Sequence, residues 1–376
     1  MIPLSKVAMS PAALNRVGAV LDSGQLEHGP VVDQFERAIS ERIGNHRTVA
    51  VNCGTSAIQL ALRVVQLSSG ADGERAPQGE VLTTPLTFEG TNWPILANRF
   101  RIRWVDVDPA TLTIDLDDLA AKITPACRAV VVVHWLGYPV DLDKLATVVE
   151  QAERAHGVRP AVIEDCAQAW GATYQGRPLG SHGNICAFSF QAIKVLTCGS
   201  GGMVALPDEH LRQQAMLQRW HGIPRGADRA SAAYDVSEWG YRFTMSEVAA
   251  AIGLANLEIV DGLIQRHRDN AAYYDKELVD VPGLEHTERA HDREPTFWMY
   301  PVKVADRQSF RRKLADAGIT TGLLGRRNDA HTCVAAYRTE LPGLDSVDDR
   351  VVYLPAGWWL SDEDRELIAT TIRSGW

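Results

Sequence analysis

One lysine lies in a stretch of the sequence where a solvated surface residue would not be expected. Lys194 belongs to FSFQAIKVLTCGSGG (188–202), between a short apolar segment and a run of glycines. A lysine held inside a cavity has a lowered pKa and can act as a nucleophilic amine. Because most lysines are solvated, this interpretation depends on what other groups accompany Lys194.

An acidic residue precedes Lys194 at the end of another apolar segment. AVIEDCAQAWGA (161–172) places Asp165 after a hydrophobic run, with Gln168 close behind. A carboxylate at the end of a buried strand is costly unless a cation or a hydrogen-bond donor meets it. A protonated pyridine nitrogen would be such a partner. The alternative is that Asp165 caps the next turn.

A candidate phosphate site lies earlier in the chain, in NCGTS (52–56). Gly54 lets the backbone approach a ligand, and the amides of Thr55 and Ser56 would point outward at the start of a helix, where the dipole favours phosphate. A plain N-cap is the alternative. Phosphate cradle, buried acid and a lysine in a glycine-rich turn follow one another in this order. Together they indicate pyridoxal phosphate (PLP) on a fold-type I transaminase scaffold.

These groups must be positioned by an alternation of short apolar strands and helices. Strands rich in Val and Ile with little alternation suit a parallel sheet buried on both faces. Such sheets bind ligands beyond the carboxyl ends of their strands. The sequence therefore predicts an α/β fold with a mostly parallel, seven-stranded sheet covered by helices on both faces. The predicted strands are 48–52, 80–85, 101–108, 129–137, 161–167, 185–190 and 201–207.

The remaining elements predict two domains. Helices are expected at 11–24, 30–44, 55–67, 245–269, 307–319 and 362–375, with one further strand at 297–304. We assign residues 1–255 to a large α/β domain, onto which the first two helices pack. Residues 256–376 are assigned to a small C-terminal α+β domain.

Composition narrows the class of protein. The 376 residues are 45% hydrophobic and carry a formal net charge of −9 without a basic run, which argues against a nucleic-acid partner. No signal peptide is recognised, and apolar runs fall short of the roughly 20 residues that span a membrane. The six cysteines match no zinc motif and are expected to be free thiols, so we expect no metal site and a reducing, cytoplasmic setting.

The sequence resembles the DegT/StrS-type sugar aminotransferases over nearly its whole length. The most specific match is IEDCAQAWGATYQGRPLGSHGNICAFSFQAIKVLTCGSGG (163–202). Other matching segments are NCGTSAIQLAL (52–62), TTPLTFEGTNWPIL (83–96), VDVDPATLTID (105–115), VVVHWLGYPVDLDKL (131–145) and WGYRFTMSEVAAAIGLANLE (239–258).

The resemblance implies the roles of four residues at the cofactor ring. Lys194 would form the Schiff base with PLP and, once freed by substrate, carry the proton. Asp165 would pair with the pyridine nitrogen, and Gln168 would contact the phenolic oxygen. Phe88 would stack on the ring, with ordinary core packing as the alternative.

The resemblance also implies how the phosphate is held. The amides and hydroxyls of Thr55 and Ser56, which follow Gly54, would bind it together with Ser189. Gln191 lies where many relatives carry His or Asn, near the phosphate or the substrate.

The family further implies a homodimer, because a neighbouring subunit adds a residue from the segment that matches GYRFTMSE (240–247). Relatives often carry Asn at the position of Arg242 or at that of Thr244, and Arg242 would reach the phosphate as a cation. Three other positions depart from the family pattern, namely Glu89, Trp170 and Ser200. All three are expected to leave the cofactor chemistry intact and to reshape the sugar pocket, and the sequence supplies no physical account of what Ser200 does.

The implied reaction has two halves and ping-pong kinetics. L-Glutamate would convert PLP to pyridoxamine phosphate (PMP), and a keto-sugar carried on a nucleotide diphosphate would then accept the amine. A keto-cyclitol is the alternative acceptor. Three other functions are disfavoured. A sugar dehydratase of this type would carry His in place of Lys194, and a regulatory homologue would have lost the lysine, the acid or the phosphate cradle. A nicotinamide enzyme would show G-x-G-x-x-G after the first strand, and this sequence does not.

The substrate pocket is expected to involve the C-terminal domain and the partner subunit. Each candidate also has an ordinary structural interpretation. Candidates for sugar or base contacts are Trp298, Tyr300, Asn328, His331 and Trp358, and candidates for a diphosphate are Arg219, His221 and Arg225.

Overall fold

The computed structural model describes residues 1–68, 79–231, 233–323 and 325–376. Its helices are α1 (Ala13–Ser23), α2 (Pro30–Ile43), α3 (Gly54–Ser68), α4 (Glu89–Ala97), α5 (Leu116–Lys122), α6 (Leu142–His156), α7 (Glu209–Arg219), α8 (Glu247–Leu257), α9 (Val260–Glu277), α10 (Arg307–Asp316), α11 (Pro342–Asp345) and α12 (Asp362–Arg373). Short 3-10 turns occur at Trp135–Gly137, Asn328–Ala330 and Thr332–Tyr337. Among the described residues, no helix combines the length and the apolar character needed to cross a membrane.

The strands form one large sheet and two small ones. They are β1 (Thr48–Val51), β2 (Glu80–Thr83), β3 (Arg101–Trp104), β4 (Cys127–Val133), β5 (Ala161–Asp165), β6 (Thr173–Tyr174), β7 (Arg177–Pro178), β8 (Ile185–Ser189), β9 (Gly202–Ala205), β10 (Leu284–His286), β11 (Arg293–Glu294), β12 (Tyr300–Val304) and β13 (Val351–Leu354). The large sheet has seven strands in the order β1-β9-β8-β5-β4-β2-β3. A second sheet pairs β10, β12 and β13, and a third pairs β11, β6 and β7.

The large sheet is parallel except at β9, which runs antiparallel to both of its neighbours. The carboxyl ends of β1, β8, β5, β4 and β2 therefore share one edge, and β9 begins there. Two hydrophobic clusters cover the two faces of the sheet, with helices packed over each. The predicted α/β architecture with a mostly parallel, seven-stranded sheet is confirmed.

Several strands end earlier than predicted, and this places polar groups just beyond them. The segment predicted as a strand over 129–137 leaves the sheet after Val133 and turns at Trp135–Gly137. The segment over 161–167 leaves it after Asp165. The shorter strands put the residues that follow them at the edge of the sheet instead of within it.

The helix predicted over 245–269 is wrong as a single element. It is divided into α8 and α9, because the amides of Glu258 and Ile259 bond to carbonyls three residues back and close the first helix in a tight turn. Ser246 caps α8 by accepting from the Ala249 amide. The predicted domain boundary at 255/256 falls in the last turn of α8 and stays a prediction.

The C-terminal segment has its own hydrophobic cluster, built on the antiparallel β10-β12-β13 sheet and covered by α9, α10 and α12. The strand predicted over 297–304 begins at Tyr300, because Phe297 has a positive φ of 54°. The N-terminus crosses to this unit through a bridge between Ile2 and Ile319. That bridge brings Leu4 to the cavity described next.

Candidate active site

A cavity of about 570 Å³ lies at the edge of the large sheet where β1, β5 and β8 end. Most of its wall comes from loops that follow the strands. The N-terminus and the C-terminal unit close the other side. The lining residues are Leu4, Cys53, Gly54, Thr55, Ile58, Thr87, Phe88, Glu89, Gly90, Thr91, Trp135, Leu136, Asp165, Ala167, Gln168, Ser189, Gln191, Ile193, Lys194, Trp298, Met299, Leu323, Gly325, Arg326 and Tyr353.

Lys194 lies in the turn after β8 and extends its amine into the cavity. Burial lowers the pKa of Lys194 to about 8, although the negative charge of Asp165 acts to raise it. The Nζ atom lies 4.0 Å from the centroid of the Trp298 ring. That indole donates in turn to the Ile193 carbonyl at 2.9 Å, which ties the C-terminal unit to the lysine turn. The amine is therefore positioned, and its lowered pKa leaves a larger neutral fraction near physiological pH than a solvated lysine has.

Asp165 is the last residue of β5, is buried and lines the same cavity. Its Oδ2 accepts from the Thr91 hydroxyl at 2.6 Å, and its Oδ1 accepts from the Ala167 amide at 2.9 Å. Burial raises the pKa of Asp165 in spite of these bonds and of the Lys194 charge. A carboxylate in this state gains from a bound cation.

The start of α3 forms a cradle beside Lys194 and Asp165. Gly54 packs so closely on Ser189 that a Cβ at Gly54 would lie 2.6 Å from the Ser189 Cβ. A Cβ at Gly202, the first residue of β9, would lie 2.4 Å from the Cys53 carbonyl oxygen. These glycines bring the helix N-terminus, the Thr55 side chain and the Ser189 side chain to one end of the cavity.

Ser56 differs from Thr55 in its surroundings. The Ser56 side chain is buried, and its hydroxyl and amide both contact the Cys53 sulfur, at 3.2 and 3.4 Å. It does not line the cavity. The structure therefore brings Thr55 to the cavity and turns Ser56 toward Cys53.

The other predicted cofactor contacts also reach the cavity. Phe88 is 67% exposed, which excludes the alternative of ordinary core packing. The Gln168 amide oxygen accepts from the Leu136 amide at 2.7 Å, which fixes its orientation. Gln191 is exposed, and its side-chain oxygen accepts from the Ile193 amide within the lysine turn.

The residues at this site fit pyridoxal phosphate. A buried carboxylate, Asp165, offers a partner for a protonated ring nitrogen, and the Lys194 amine lies on the same cavity. The helix N-terminus and the hydroxyls of Thr55 and Ser189 offer donors for a phosphate. The exposed ring of Phe88 offers an apolar surface for an aromatic ring.

Four of the side chains predicted to contact sugar or base lie outside this cavity. Tyr300 is buried in the C-terminal unit, where its hydroxyl bonds to Asp275 and His286, so the prediction that it contacts substrate is not supported. Asn328 is fully buried and links the Asn92 side chain to a backbone carbonyl, which is a structural role.

His331 lies at the rim, with its Nε2 3.5 Å from a Glu89 carboxylate oxygen and its ring edge-on to Trp93. Glu89 itself lines the cavity, while His331 does not. Trp358 likewise does not line it; its ring contacts the Lys6 amine instead.

Arg242 is exposed and pairs with Glu27 at 2.6 Å. It borders a separate surface cavity of about 360 Å³ together with Asn52 and Ser200, so it does not reach the cofactor site of its own chain. The Ser200 hydroxyl donates to the Asn52 carbonyl at 2.9 Å, which gives the physical account that the sequence lacked.

The arginines predicted for a diphosphate have protein partners. Arg219 is buried and donates to Glu36 and to the Ala50 carbonyl. Arg225 pairs with Asp33 on the surface. The bond to Glu36 and the burial of Arg219 favour its structural interpretation.

Sequence reasoning missed Thr91, Trp135 and Tyr353. Thr91 lies one helical turn after Phe88, the predicted ring contact. This spacing was the one sequence signal that Thr91 faces the same cavity as Asp165. The indole N–H of Trp135 and the hydroxyl of Tyr353 approach each other at the cavity wall without reaching hydrogen-bonding geometry. Their contact joins a strand end of the large sheet to β13, and no local pattern signals it.

Behind the cavity lies a buried group of His134, Glu164 and Cys166, whose ligand atoms are close enough to suit a metal ion. The His134 Nε2 and the Glu164 carboxylate are 2.9 Å apart, and the His134 Nδ1 accepts from the Val140 amide. Because His134 and Glu164 already bond to each other, to the Val140 amide and to the Asn184 side chain, the group is explained as part of the fold.

Comparison with known proteins decides what kind of site this is. The sequence profile of the DegT/DnrJ/EryC1/StrS aminotransferase family matches residues 8–373. The chain belongs to this family. It is therefore a transferase enzyme, and the sugar aminotransferase family predicted from the sequence is confirmed.

Individual members show how close the relationship is. The spore coat polysaccharide biosynthesis protein SpsC of Bacillus subtilis (strain 168) is 34% identical over 314 residues, which cover 82% of this chain and 77% of that protein. The sugar aminotransferase CalS13 of Micromonospora echinospora is 63% identical, with a TM-score of 0.96 and full coverage of both chains.

A more distant structure bears on the cofactor. Spr1654 of Streptococcus pneumoniae has been solved in a PLP form, which is 25% identical with a TM-score of 0.89 and covers 99% of this chain and 98% of that chain. It has also been solved in a PMP form. These forms agree with the cofactor that the donor set of the cavity fits.

Proposed function

We propose that this aminotransferase uses PLP to transfer the amino group of L-glutamate to a keto-sugar carried on a nucleotide diphosphate, in amino-sugar biosynthesis. The observation that carries the proposal is the convergence of Lys194, Asp165 and the Thr55/Ser189 cradle on one cavity. The name of CalS13, a sugar aminotransferase, supports the sugar acceptor, and the PLP and PMP forms of Spr1654 support a cofactor that cycles between two states.

When bound, PLP supplies an electrophilic carbon and a ring that accepts an electron pair. The chain supplies the proton transfers around it. Lys194 would hold the cofactor, and once an amino compound has displaced it, its free amine would take a proton from one carbon and return it to another. Burial in the cavity lowers the pKa of this amine from its ordinary value. A pKa near the working pH favours both steps.

Asp165 holds the proton of the ring nitrogen. Among the described residues, no lysine or arginine forms an ion pair with its carboxylate, and burial raises its pKa although the charge of Lys194 acts to lower it. A protonated ring nitrogen supplies the missing charge, so the ionised form of Asp165 and the protonated ring stabilise each other. Thr91 and the Ala167 amide keep the carboxylate oriented for this contact.

We expect the enzyme to work as a homodimer. Arg242 lies on the surface beside Ser200, at a cavity that its own site does not reach. A partner subunit that covers this surface could receive Arg242 at its phosphate end. A dilution series in which activity falls as monomer forms would test this, and full activity of the isolated monomer would contradict it.

The experiment that tests the function follows the cofactor by absorbance. We expect the purified protein to acquire a PLP band that L-glutamate converts to that of PMP, and Lys194→Ala to abolish this conversion. Arg154→Ala, on the outer surface of α6, is the control. A wild type that shows no band with added PLP would exclude the proposal.

The acceptor is identified in the reverse direction. Amino-sugar nucleotides and aminocyclitols should be offered separately to the PLP form with 2-oxoglutarate. We expect the nucleotide-linked amino-sugar to be deaminated, and L-glutamate to appear. Exclusive use of an aminocyclitol would favour the cyclitol alternative.

A further inference from the structure

Two neighbouring arginines at the cavity rim have opposite surroundings. Arg327 donates to both carboxylate oxygens of Asp329, at 2.7 and 2.8 Å, and also bonds to Asp345. Arg326 lines the cavity and is exposed, and its guanidinium donates to the Ala330 carbonyl at 2.6 Å. No carboxylate pairs with Arg326 among the residues that the structure describes.

The loop holds Arg326 in place without neutralising it. The next residue is clamped by its ion pairs, and Asn328 is fully buried against Asn92 and the Thr87 carbonyl. One of the five N–H donors of Arg326 is used by Ala330, and the others remain for a ligand. A positioned guanidinium that lacks an acidic partner is suited to bind carboxylate or phosphate oxygens in pairs.

The charged residues on the cavity wall indicate what kind of ligand Arg326 binds. Among the described lining residues, the arginines and lysines are Arg326 and Lys194, and the acids are Asp165 and Glu89. In the PLP-loaded enzyme, Lys194 is committed to the cofactor and Asp165 to its ring. Arg326 is then the cation that this chain leaves available on the described wall.

We propose that Arg326 is the anion-binding residue for both substrates in turn: the carboxylate of the amino donor in one half-reaction, and the diphosphate of the acceptor in the other. The proposal rests on the proposed function, because only ping-pong transfer lets two anions use the same cavity alternately. Arg326 is a substrate-binding residue in this scheme and takes no part in proton transfer.

Binding of simple anions tests this without turnover. The PLP-loaded protein, whose phosphate cradle is filled, is titrated calorimetrically with glutarate and with inorganic pyrophosphate. We expect each to bind, each to compete with the other, and Arg326→Ala to weaken both by about 10-fold or more, since a hydrogen bond to a charged group is lost. Arg326→Lys should recover part of the affinity.

Arg338→Ala is the matched control. Arg338 donates to the same Ala330 carbonyl, at 3.1 Å, and does not line the cavity. The substitution Arg338→Ala removes an equal charge from the same loop, and the affinities of this variant for glutarate and pyrophosphate should stay within about twofold of wild type. An equal weakening in Arg338→Ala would overturn the proposal, because it would reflect the general field of the loop.

The half-reaction with L-glutamate separates this proposal from the proposed function. Arg326→Ala should raise the concentration of L-glutamate that gives half the maximal rate by about 10-fold, with the maximal rate changed less. Unchanged affinity for both anions in this variant, failure of the two anions to compete, or a wild type that binds neither would overturn the role of Arg326. Failure of wild-type PLP to respond to L-glutamate would instead overturn the proposed function.

Discussion

Two carboxylates lie next to each other on β5, and their surroundings are opposite. Glu164 is fully buried, with one oxygen 2.9 Å from the His134 Nε2 and the other accepting from the Asn184 side-chain Nδ2 at 2.7 Å. Although burial acts to raise the pKa of Glu164, these hydrogen bonds lower it overall. For Asp165, on the cavity side, burial prevails and the pKa is raised. The charge of Glu164 is stabilised by neighbouring residues of the fold, whereas the charge of Asp165 is left to be stabilised by a ligand.

The partners also differ in whether they can reverse their hydrogen bonds. His134 must donate to Glu164, because its Nδ1 accepts from the Val140 amide. Thr91, the partner of Asp165, is a hydroxyl that also contacts the Thr87 hydroxyl at 2.8 Å, and a hydroxyl either donates or accepts. Both side-chain partners of Glu164 are hydrogen-bond donors, so only an acceptor fits at that position. At Asp165, the Thr91 hydroxyl can also accept, so a donor group would fit there. This difference separates a structural acid from a functional one more clearly than burial does.

The largest effect is expected from Asp165→Asn. The asparagine can keep the Ala167 bond and donate to Thr91, so the free energy of unfolding should change by less than about 1 kcal/mol. The charge that favours a protonated cofactor ring is lost, and kcat should fall by about 10²- to 10³-fold. Urea unfolding and steady-state kinetics check the two parts. A stable variant with wild-type kcat would contradict the role of Asp165.

Glu164→Gln should have the reverse profile. Its amide group must face either His134 or Asn184, and both are donors, so a buried donor loses its acceptor. The free energy of unfolding should fall by about 1–3 kcal/mol. The kcat of the folded enzyme at low temperature should stay within a few fold of wild type. A loss of kcat as large as that of Asp165→Asn, without a loss of stability, would end the distinction between the two acids.

Local patterns were sufficient to predict most of what positions the site. The apolar strands, their order along the chain and the residues just after them placed Asp165, Ser189 and Lys194 on one edge, as the structure has them. Such predictions succeed because strand identity and direction follow from composition and connection length. The motifs then carry the chemistry.

The remaining parts depend on tertiary contacts that no local pattern contains. Tyr300 has a polar tip next to the cavity-lining Met299, yet its pairing with Leu354 on β13 directs it into the C-terminal core. Arg326 and Arg327 are adjacent residues of the same type, and they are distinguished only by the ion pairs that Arg327 forms with Asp329 and Asp345. The role of Ser200 required the position of a carbonyl 148 residues away.

The pH dependence of cofactor capture gives a sharper comparison. The neutral amine of Lys194 is the reactive form, so the rate of covalent PLP attachment, trapped with borohydride, should rise with pH and reach half its plateau near pH 8. Because the Asp165 charge raises the pKa of Lys194, Asp165→Asn should shift this midpoint to lower pH. Glu164→Gln should leave it unchanged. A shift in the opposite direction would contradict the coupling.

The smallest effects are expected when each acid loses one donor. Thr91→Val removes the hydroxyl that orients Asp165 and should lower kcat by about 10-fold, with a modest change in stability. Asn184→Ala removes one donor to Glu164 and should lower the free energy of unfolding by about 1 kcal/mol while kcat stays near wild type. Each variant deletes one hydrogen bond to a carboxylate of the same strand. If both carboxylates had only a structural role, the two variants would lose similar amounts of stability and activity. If both variants lose the same property, the two acids share one role, and the separation between the faces of β5 does not hold.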